Sequence, residues 1–380
     1  MTGRDGGPTA GRGAGPGFAD RARLMQIMSS PWLAQCCYAL AKTGIPDLLA
    51  DGPRAAADLA GESGTHPRAL HRMLRALASA GLVEEPARGV FGLTPLTQLL
   101  TSGAARSGRP SAIMFGEEVF RSFTEIEYTL RTGKPAFEKV YGQPFYDYLA
   151  EHPAAAETFA AAMGGAPVPQ ALAACDLTGV RTVADVGGGN GGLLTRVLRA
   201  YPDARGILVD LPEAVRQARD RLTAAGLADR VDFVEGSFFD GVPAGADVYV
   251  LARVLHNWDD ADAEALLRRV RGAMAPGARL LVLEQLLEPA GTPDDAGDSA
   301  ATGGAAGGAA GHGFAQGQIM DLLILLTLPG CDRTEAEYRS LLAAAGLDAV
   351  SVCPPPLRAP GAESVLEAVP APARSRPARP

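Results

Sequence analysis

The stretch VADVGGGNGG, Val183–Gly192, determines the fold of the region around it. It places a glycine-rich turn directly after a short apolar run, with the spacing G-x-G-x-x-G at Gly187, Gly189 and Gly192. Glycines let the backbone turn tightly and approach a ligand without an intervening Cβ atom. A helix predicted at Gly192–Ala200 would direct free amide groups toward that ligand. The turn is typical of proteins that bind a dinucleotide and of proteins that bind S-adenosylmethionine, so by itself it leaves both open.

Apolar segments that alternate with helical segments follow the glycine turn. Strands are predicted at Thr182–Val186, Gly206–Asp210, Arg230–Val234, Asp247–Val254, Ala278–Gln285, Asp348–Val352 and Ser364–Val369. Helices are predicted at Gln318–Leu326 and Glu335–Ala345. Continuous apolar strands separated by helices indicate a parallel sheet covered on both faces, which is a doubly wound, Rossmann-like α/β fold. Ligands of such sheets bind beyond the carboxyl ends of the strands, where the strand order reverses.

The region before this sheet is predicted to be an all-α winged-helix domain. Two helices precede the segment Leu82–Thr94, which indicates two short strands around a turn, and Gly81 fits the C-cap of the second helix. One apolar stripe repeats at helical spacing: Leu70, Met73, Leu74 and Leu77. A winged helix suggests DNA binding. The basic residues of this region are scattered and the chain is acidic, so a role in packing or dimerisation is favoured.

Segments with few large apolar side chains separate these regions. Residues 1–17, the Gly/Ala-rich insert at 291–316 and the tail at 370–380 are expected to be disordered, because they cannot bury enough apolar surface to offset the entropy of ordering. Three folded regions remain: the winged helix at 18–110, a helical region at 111–176 whose aromatic and methionine side chains form core or line an apolar pocket, and the α/β domain at 177–369.

The composition excludes several classes of protein. The chain has 380 residues and a net charge of −8 at pH 7, without a long basic stripe, which argues against a nucleic-acid partner. No apolar run reaches the roughly 18 residues that a membrane span needs, and the N-terminus lacks the apolar region of a secretory signal. The five cysteines fit no metal-binding spacing, so reduced thiols in a cytoplasmic protein without a bound metal are expected.

Residues directly after the second and third strands are candidates for binding the ligand. Asp210 can accept hydrogen bonds from both hydroxyls of an adenosine ribose, and NAD and S-adenosylmethionine share that ribose. In the segment EGSFFD, Gly236 permits close approach of the backbone and Ser237 can hydrogen-bond an adenine edge. Phe238 can stack on the adenine ring, although a Phe-Phe pair after a strand fits a core equally well.

Residues after the fourth and fifth strands are candidates for proton transfer. His256 lies just past the fourth strand, on the ligand side, and a histidine with a pKa near neutral can take a proton from a weakly acidic hydroxyl. Glu284 ends the fifth strand and can hold the imidazole tautomer and stabilise the imidazolium. Asp332, in LPGCDRT, is a second carboxylate candidate for this role.

These motifs, in this order, resemble the S-adenosylmethionine-dependent O-methyltransferases of the caffeate and hydroxyindole type, whose bacterial members methylate aromatic polyketides and related antibiotic intermediates. The resemblance extends from about Phe18 to Val369. It is carried by DVGGGNGGLL (Asp185–Leu194), VDLPEAV (Val209–Val215), RVDFVEGSFFDGVP (Arg230–Pro243), ARVLHNWDD (Ala252–Asp260), ARLLVLEQLL (Ala278–Leu287) and DRTEAEYRSLLAAAGL (Asp332–Leu347). The N-terminal half of these relatives forms an intertwined homodimer.

The resemblance implies a role for each matching residue. Residues implied to contact S-adenosylmethionine are Gly187, Gly189, Asp210, Leu211, Gly236, Ser237, Phe238 and Arg253. His256 is implied to be the general base, with Glu284 and Asp332 as orienting carboxylates. Positions implied to contact an aromatic acceptor are Met163, Asn257, Met320 and Leu323.

Three positions depart from the pattern of these relatives. Asn257 follows the proposed base where many relatives have aspartate, and an amide supplies no negative charge. Ser237 stands where plant relatives have aspartate, and Asp332 is shorter by one methylene than the commoner glutamate. These departures leave the expected reaction, methylation of an aromatic hydroxyl, unchanged. The alternatives are a non-methylating tailoring step in the same fold, such as hydroxylation or decarboxylation, an NAD-dependent oxidoreductase, and a DNA-binding regulator.

Overall fold

The computed structural model describes residues 17–105, 107–164, 172, 175–287, 316–354 and 363–372. The segments expected to be disordered lie outside these residues, except at their margins. Gln316 begins a helix and Pro370 ends a strand. The chain forms two compact units, Met1–Gly116 and Glu117–Pro380. In the described ranges, no helix is both long enough and apolar enough to cross a bilayer.

The first unit is mostly helical and contains a small antiparallel sheet. Its elements are α1 (Phe18–Thr43), α2 (Ile45–Leu48), β1 (Arg54–Ala55), α3 (Ala56–Ser63), α4 (Pro67–Ser79), β2 (Val83–Ala87), β3 (Val90–Leu93), α5 (Pro95–Gln98) and α6 (Arg109–Met114). The predicted hairpin is β2 and β3, and the sheet order is β1-β3-β2. Strand β1 was not predicted, because two residues carry no alternating pattern. This is the predicted winged-helix arrangement of helices followed by a hairpin.

The second helix of the winged helix shows how the sequence forms this unit. Pro67 begins α4, where the missing N–H group costs no hydrogen bond. Leu70, Leu74 and Leu77 are buried in the core of the unit. Gly81 follows the helix with φ of 71°, a left-handed conformation that ends helices and favours glycine.

The second unit contains the elements that follow. They are α7 (Phe120–Phe123), α8 (Ile126–Thr132), α9 (Ala136–Tyr141), α10 (Phe145–Glu151), α11 (Pro153–Gly164), β4 (Thr182–Val186), α12 (Gly192–Ala200), β5 (Arg205–Asp210), α13 (Pro212–Ala224), β6 (Val231–Glu235), β7 (Val248–Ala252), α14 (Asp260–Ala273), β8 (Arg279–Glu284), β9 (Leu286–Leu287), α15 (Gln316–Thr327), β10 (Arg333–Thr334), α16 (Glu335–Ala344), β11 (Leu347–Cys353) and β12 (Ser364–Pro370). A π-helical turn, Phe115–Val119, precedes α7.

Seven strands of the described chain form one sheet in the order β11-β12-β8-β7-β4-β5-β6. Strands β4 to β8 pair in parallel, and β12 pairs antiparallel to both of its neighbours. Alternate residues of each strand face two different apolar cores. On β8, Leu280 and Val282 belong to one core, and Leu281 and Leu283 belong to the other. The predicted doubly wound, Rossmann-like α/β fold is confirmed.

The strand order reverses at β4, whose neighbours β5 and β7 come later in the chain on opposite sides. Ligands of doubly wound sheets bind at this point, beyond the carboxyl ends of the strands. The residues directly after β4, β5 and β7 are Gly187, Leu211 and Arg253. The fold therefore brings the glycine turn to the same edge as the ends of the second and fourth predicted strands.

We predict that Gly206→Ala destabilises the second unit. Gly206 lies in β5, and an added Cβ atom would be 2.6 Å from Cδ2 of Leu194. Overpacking of this kind costs about 1–3 kcal/mol of unfolding free energy. The matched control is Gly272→Ala in α14, where nothing lies within 4 Å of the added atom; it should stabilise by about 0.5–1 kcal/mol. Chemical denaturation measures both, and equal stability of Gly206→Ala and wild type would contradict the packing argument.

Candidate active site

The glycine turn after β4 has a backbone conformation that depends on residues without a side chain. Gly187 and Gly189 have φ of 75° and 54°, which glycine adopts readily. A Cβ atom on Gly187 would be 2.8 Å from Cγ2 of Val254 and 3.6 Å from Cε1 of Phe238. Neither position accepts a side chain without strain, so the turn fits a site where a ligand contacts the main chain.

The carboxylate of Asp210 lies against this turn. Its Oδ2 atom accepts a hydrogen bond from the N–H group of Gly189 at 2.8 Å, and its Oδ1 atom accepts one from Leu211 N–H at 2.7 Å. Burial raises the pKa of Asp210, while these two N–H groups act in the opposite direction. Leu211 beside it is exposed. The carboxylate is therefore fixed at the edge of the sheet, where the sequence predicted a ribose-binding group.

A second buried carboxylate, Asp185, begins the quoted glycine motif but was not predicted to have a role. It lies on β4, is 1% exposed, and its Oδ2 atom has no hydrogen-bond partner among the described residues. Burial raises the pKa of Asp185 to about 7, and the nearby charge of Asp210 adds to the rise. The position of Asp185 next to the glycine turn was the sequence feature that could have predicted a role for it. A buried oxygen without a hydrogen-bond partner beside the glycine turn is a candidate contact for a polar ligand.

Aromatic side chains form a cluster beside the glycine turn. The ring of Trp258 packs edge-on against Phe238 and Phe239, with centroid distances of 5.9 and 4.7 Å. Tyr146 of α10 stacks on Trp258 at 5.9 Å. Burial raises the pKa of Tyr146, and the charge of Asp210 adds to the rise. From the sequence, Tyr146 was predicted only as core or pocket lining, and Trp258 had no predicted role.

The loop after β6 contains the other residues predicted to bind the adenine. Gly236 has φ of 146°, again a conformation that favours glycine. The hydroxyl of Ser237 accepts a hydrogen bond from Phe239 N–H at 3.2 Å and thereby stabilises the loop. Phe238 reaches both the glycine turn and Trp258. The structure therefore brings Phe238 to the site, and uses Ser237 in the local turn.

His256 lies in a 3-10 turn, Leu255–Asn257, directly after β7. Its Nδ1 atom is 3.2 Å from Oδ1 of Asp332 and 3.5 Å from Oε2 of Glu284. The His256 side chain is 22% exposed, whereas both carboxylates are buried. Three residues predicted from separate parts of the sequence are therefore brought together around one imidazole nitrogen.

The charges around His256 favour its protonated form. Burial alone would lower the pKa of His256, but the charge of Glu284, together with the hydrogen bond and charge of Asp332, outweighs burial and raises the pKa above its ordinary value. Arg253 acts in the opposite direction. A raised pKa means that this imidazole holds an accepted proton more strongly than a free histidine does.

Backbone N–H groups hold the carboxylate of Glu284, and a side chain holds the backbone of Asp332. Oε1 of Glu284 accepts hydrogen bonds from the N–H groups of Val254 and Leu255, at 3.0 and 2.8 Å. Burial raises the pKa of Glu284, while the charge of His256 and these donors oppose the rise. The N–H group of Asp332 donates to Oδ1 of Asp321 on α15 at 2.9 Å. Asp321 was not predicted from the sequence, because no local pattern links it to a residue eleven positions later.

Arg253 has an unusual backbone conformation. Its φ is 57°, and it is the one non-glycine residue with a positive φ in the described part of the chain. Such strain occurs mostly at functional sites. Its side chain forms an ion pair with Glu363 at 2.5 Å, and its carbonyl accepts a hydrogen bond from Nδ2 of Asn257 at 3.2 Å. Asn257 thus links the strained residue to the turn that carries His256.

Three of the four positions predicted to contact an acceptor lie on helices outside the sheet, and the fourth, Asn257, lies in the turn that carries His256. Met163 lies on α11 and is 45% exposed; Met320 and Leu323 lie on α15, and Met320 is 37% exposed. Met320 and Leu323 are three residues apart, so they share a helix face with each other. Among the described residues, no group of three or more His, Cys, Asp or Glu side chains could hold a metal ion.

Comparison with known proteins assigns the family. Residues 123–302 match the model of the O-methyltransferase domain, and residues 25–103 match the model of the O-methyltransferase dimerisation domain. The chain belongs to this family of S-adenosylmethionine-dependent O-methyltransferases. The family decides between the two ligands that the glycine turn left open.

The similarity to individual relatives extends over most of the chain. The phenazine O-methyltransferase PhzM of Lysobacter antibioticus is 39% identical over 87% of this chain and 92% of its own length. The 8-amino-8-demethylriboflavin N,N-dimethyltransferase of Streptomyces davaonensis is 38% identical over 87% and 91%. An O-methyltransferase from neocarzinostatin biosynthesis was solved in complex with S-adenosyl-L-homocysteine and 1,4-dihydroxy-2-naphthoic acid. It is 32% identical, covers 94% of this chain and 99% of its own, and has a TM-score of 0.75.

We predict that Asp185→Asn changes how stability depends on pH. A carboxyl group whose pKa is raised by folding stabilises the protein below its unfolded pKa, and this contribution is lost as pH rises through the folded value of about 7. The neutral amide removes that loss. The unfolding free energy of the variant should therefore exceed that of wild type increasingly from pH 4 to pH 8, by a few kcal/mol at most, since one pKa unit corresponds to about 1.4 kcal/mol. Urea denaturation across this range measures the difference, and parallel curves would contradict the assignment.

Proposed function

We propose that the protein transfers the methyl group of S-adenosylmethionine to a hydroxyl group of an aromatic natural product, with His256 as the general base. The observation that carries the proposal is the contact of His256 Nδ1 with the buried carboxylates of Asp332 and Glu284, at 3.2 and 3.5 Å. His256 follows β7 and Glu284 ends β8, at the edge of the sheet that carries the glycine turn, and Asp332 reaches them from the segment before β10. Two of the relatives, a phenazine O-methyltransferase and an enzyme solved with a naphthoic acid, support the aromatic class of acceptor.

The residues of the glycine turn fit the donor. S-adenosylmethionine supplies an electrophilic methyl group on a sulfonium. Gly187 and Gly189 give it access to the main chain, Asp210 accepts hydrogen bonds from its ribose, and Phe238 flanks its adenine. Arg253 and the unpartnered oxygen of Asp185 fit its polar amino-acid end. No step of this mechanism is assigned to a metal ion.

His256 makes the acceptor oxygen a better nucleophile. A phenol has a pKa of about 10, so its hydroxyl needs a base to become a phenolate at neutral pH. The Nδ1–H group of His256 donates to Asp332, which leaves Nε2 to take the phenolic proton. Glu284 then stabilises the imidazolium from 3.5 Å. Met163, Met320 and Leu323 supply flexible apolar surface for a planar ring.

We further propose that the protein is a homodimer that associates through its N-terminal domain. The proposed organisation of the chain is a dimerisation domain at 18–110, a linker and acceptor-pocket region at 111–176 and a catalytic domain at 177–369. The match to the dimerisation model at 25–103 supports this division. Exposed apolar side chains on α1, which include Leu24, Met28 and Trp32, fit a surface that another subunit covers.

A nitrogen acceptor is the second candidate, and the 38% identity to an N,N-dimethyltransferase favours it. A neutral amine attacks with its own lone pair and loses its proton afterwards, so it needs no base for the attack. The product mass distinguishes methyl transfer from a non-methylating step, because each methyl transfer adds one CH2 unit to the acceptor. The atom that carries the new methyl group then distinguishes an oxygen acceptor from a nitrogen acceptor.

We predict that His256→Ala lowers kcat about 10²- to 10⁴-fold on a phenolic acceptor, which is the usual contribution of general acid-base catalysis. S-adenosylhomocysteine affinity should stay unchanged, as measured by calorimetry. The matched control is His152→Ala, since His152 is exposed at the end of α10. A His256→Ala variant with the turnover of wild type would show that positioning alone accelerates the reaction, or that the acceptor atom is nitrogen.

The pH dependence of kcat tests the same base. Because the neutral imidazole is the active form, activity should fall as pH drops through the raised pKa of His256. Asp332→Asn removes a negative charge that raises this pKa, so the acid limb should move to lower pH while the plateau of kcat falls. An acid limb at the wild-type position in Asp332→Asn would contradict the arrangement.

We predict that Asp210→Asn weakens binding of S-adenosylhomocysteine about 10- to 100-fold, since a hydrogen bond to a charged group contributes about 1.5–3 kcal/mol. Asp232→Asn is the matched control, because Asp232 is exposed near the start of β6. Thermal-shift titration with S-adenosylhomocysteine and with NADH measures both specificity and affinity. Stabilisation by NADH alone would refute the assigned donor.

A further inference from the structure

The guanidinium of Arg333 is buried beside the turn that carries His256. Arg333 is 2% exposed and belongs to β10, which pairs with β9 directly after β8. It donates to three backbone carbonyls: those of Leu255 at 3.2 Å, Trp258 at 2.8 Å and Cys331 at 3.3 Å. Burying a guanidinium is costly unless its donors are satisfied, so this arrangement is specifically built.

The three carbonyls flank the proposed catalytic pair. Leu255 precedes His256, Trp258 ends the same turn, and Cys331 precedes Asp332. One planar cation therefore connects the backbone on both sides of His256 to the backbone at Asp332. The rigid fork of arginine suits this geometry, whereas lysine offers one compact charge.

Two further contacts fix the same segment. A Cβ atom on Gly330 would be 2.1 Å from the carbonyl oxygen of His256, so the segment at 330–333 packs directly on the turn. Glu284 accepts the N–H groups of Val254 and Leu255. The turn is thus held at its N–H groups by a carboxylate and at its carbonyls by a guanidinium.

Asp260 completes the arrangement from the surface. Its Oδ1 atom accepts from Nε and Nη2 of Arg333 at 3.0 and 2.8 Å, and its side chain is 80% exposed. The charge of Arg333 is therefore balanced without using Glu284 or Asp332.

We propose that Arg333 is a positioning residue that sets the separation of His256 and Asp332 by holding the backbone of both. The inference rests on the proposed role of His256 as base. A displacement of about 1 Å of a catalytic group can lower the rate about 10²-fold. His256 Nδ1 lies 3.2 Å from Asp332 Oδ1, so the catalytic rate depends on how firmly the turn that carries His256 is held.

The test uses Arg333→Met and Arg333→Lys, with kcat and affinity measured in chains that retain Trp32, because Trp32 belongs to the proposed dimer surface. Quenching alone is measured in a Trp32→Phe background, against the Trp32→Phe parent. The chain has two tryptophans, so Trp258, whose carbonyl binds Arg333, becomes the sole fluorescent reporter. The matched control is Arg230→Met. Arg230 likewise donates to backbone carbonyls, those of Leu198, Tyr201 and Ala204, away from the His256 turn. The readouts are kcat against pH, affinity for S-adenosylhomocysteine, and acrylamide quenching of Trp258.

Arg333→Met should lower kcat about 10- to 100-fold, move the acid limb of kcat to lower pH, and increase quenching of Trp258, with little change in S-adenosylhomocysteine affinity. Arg333→Lys should show the same changes to a smaller extent. Arg230→Met should lower thermal stability and leave the quenching and the pH limb unchanged. A folded Arg333→Met protein with wild-type kcat, pH limb and quenching overturns the proposal.

The test still works if Arg333→Met does not fold, and it distinguishes failure of the Arg333 proposal from failure of the proposed base. If Arg333→Met does not fold, Arg333→Lys and the surface variant Asp260→Asn are compared with wild type, and unchanged kcat and quenching in both refute the proposal. If His256→Ala has wild-type turnover, the base assignment fails, whereas increased Trp258 quenching in Arg333→Met still shows that Arg333 holds the turn.

Discussion

Strands packed between two apolar layers must carry apolar side chains on both faces, and this requirement moves the polar chemistry of the chain to the strand ends. On β8, Leu280 to Leu283 alternate between the two cores, and Glu284 is the first residue after them able to carry a charge. Because β4, β5, β7 and β8 run in parallel, their carboxyl ends share one edge. The glycine turn, Asp210, His256 and Glu284 therefore meet there, although the sequence separates them widely.

The site combines fixed charge with restricted solvent access. Glu284 and Asp332 are buried; backbone N–H groups hold the carboxylate of Glu284, and Asp321 holds the backbone of Asp332, so both carboxylates already face His256. An environment arranged in this way does not need to reorganise when the imidazole becomes charged. The strained backbone of Arg253 lies in the same loop, and the hydrogen bond from Asn257 to its carbonyl helps to maintain it.

Sequence reasoning predicted the parts of the structure that depend on local patterns. The strands of the large sheet were located within one or two residues, because short, continuous apolar runs between helical segments form buried strands. Strand β1 was missed because Arg54–Ala55 forms a strand only by pairing with Val90 and Phe91. Asp321 and Arg333 had no predicted role, because tertiary contacts alone bring them close to His256 and Asp332.

The bond between Asp332 N–H and Asp321 has a consequence for how this scaffold can diversify. Helix α15 presents Met320 and Leu323 as candidate acceptor contacts, and a residue between them supports the backbone of a carboxylate that orients His256. Under the proposed assignments, one helix therefore contributes both to the acceptor pocket and to the position of Asp332. A chimaera that exchanges α15 should retain the aspartate at position 321, so that the support of the Asp332 backbone is kept.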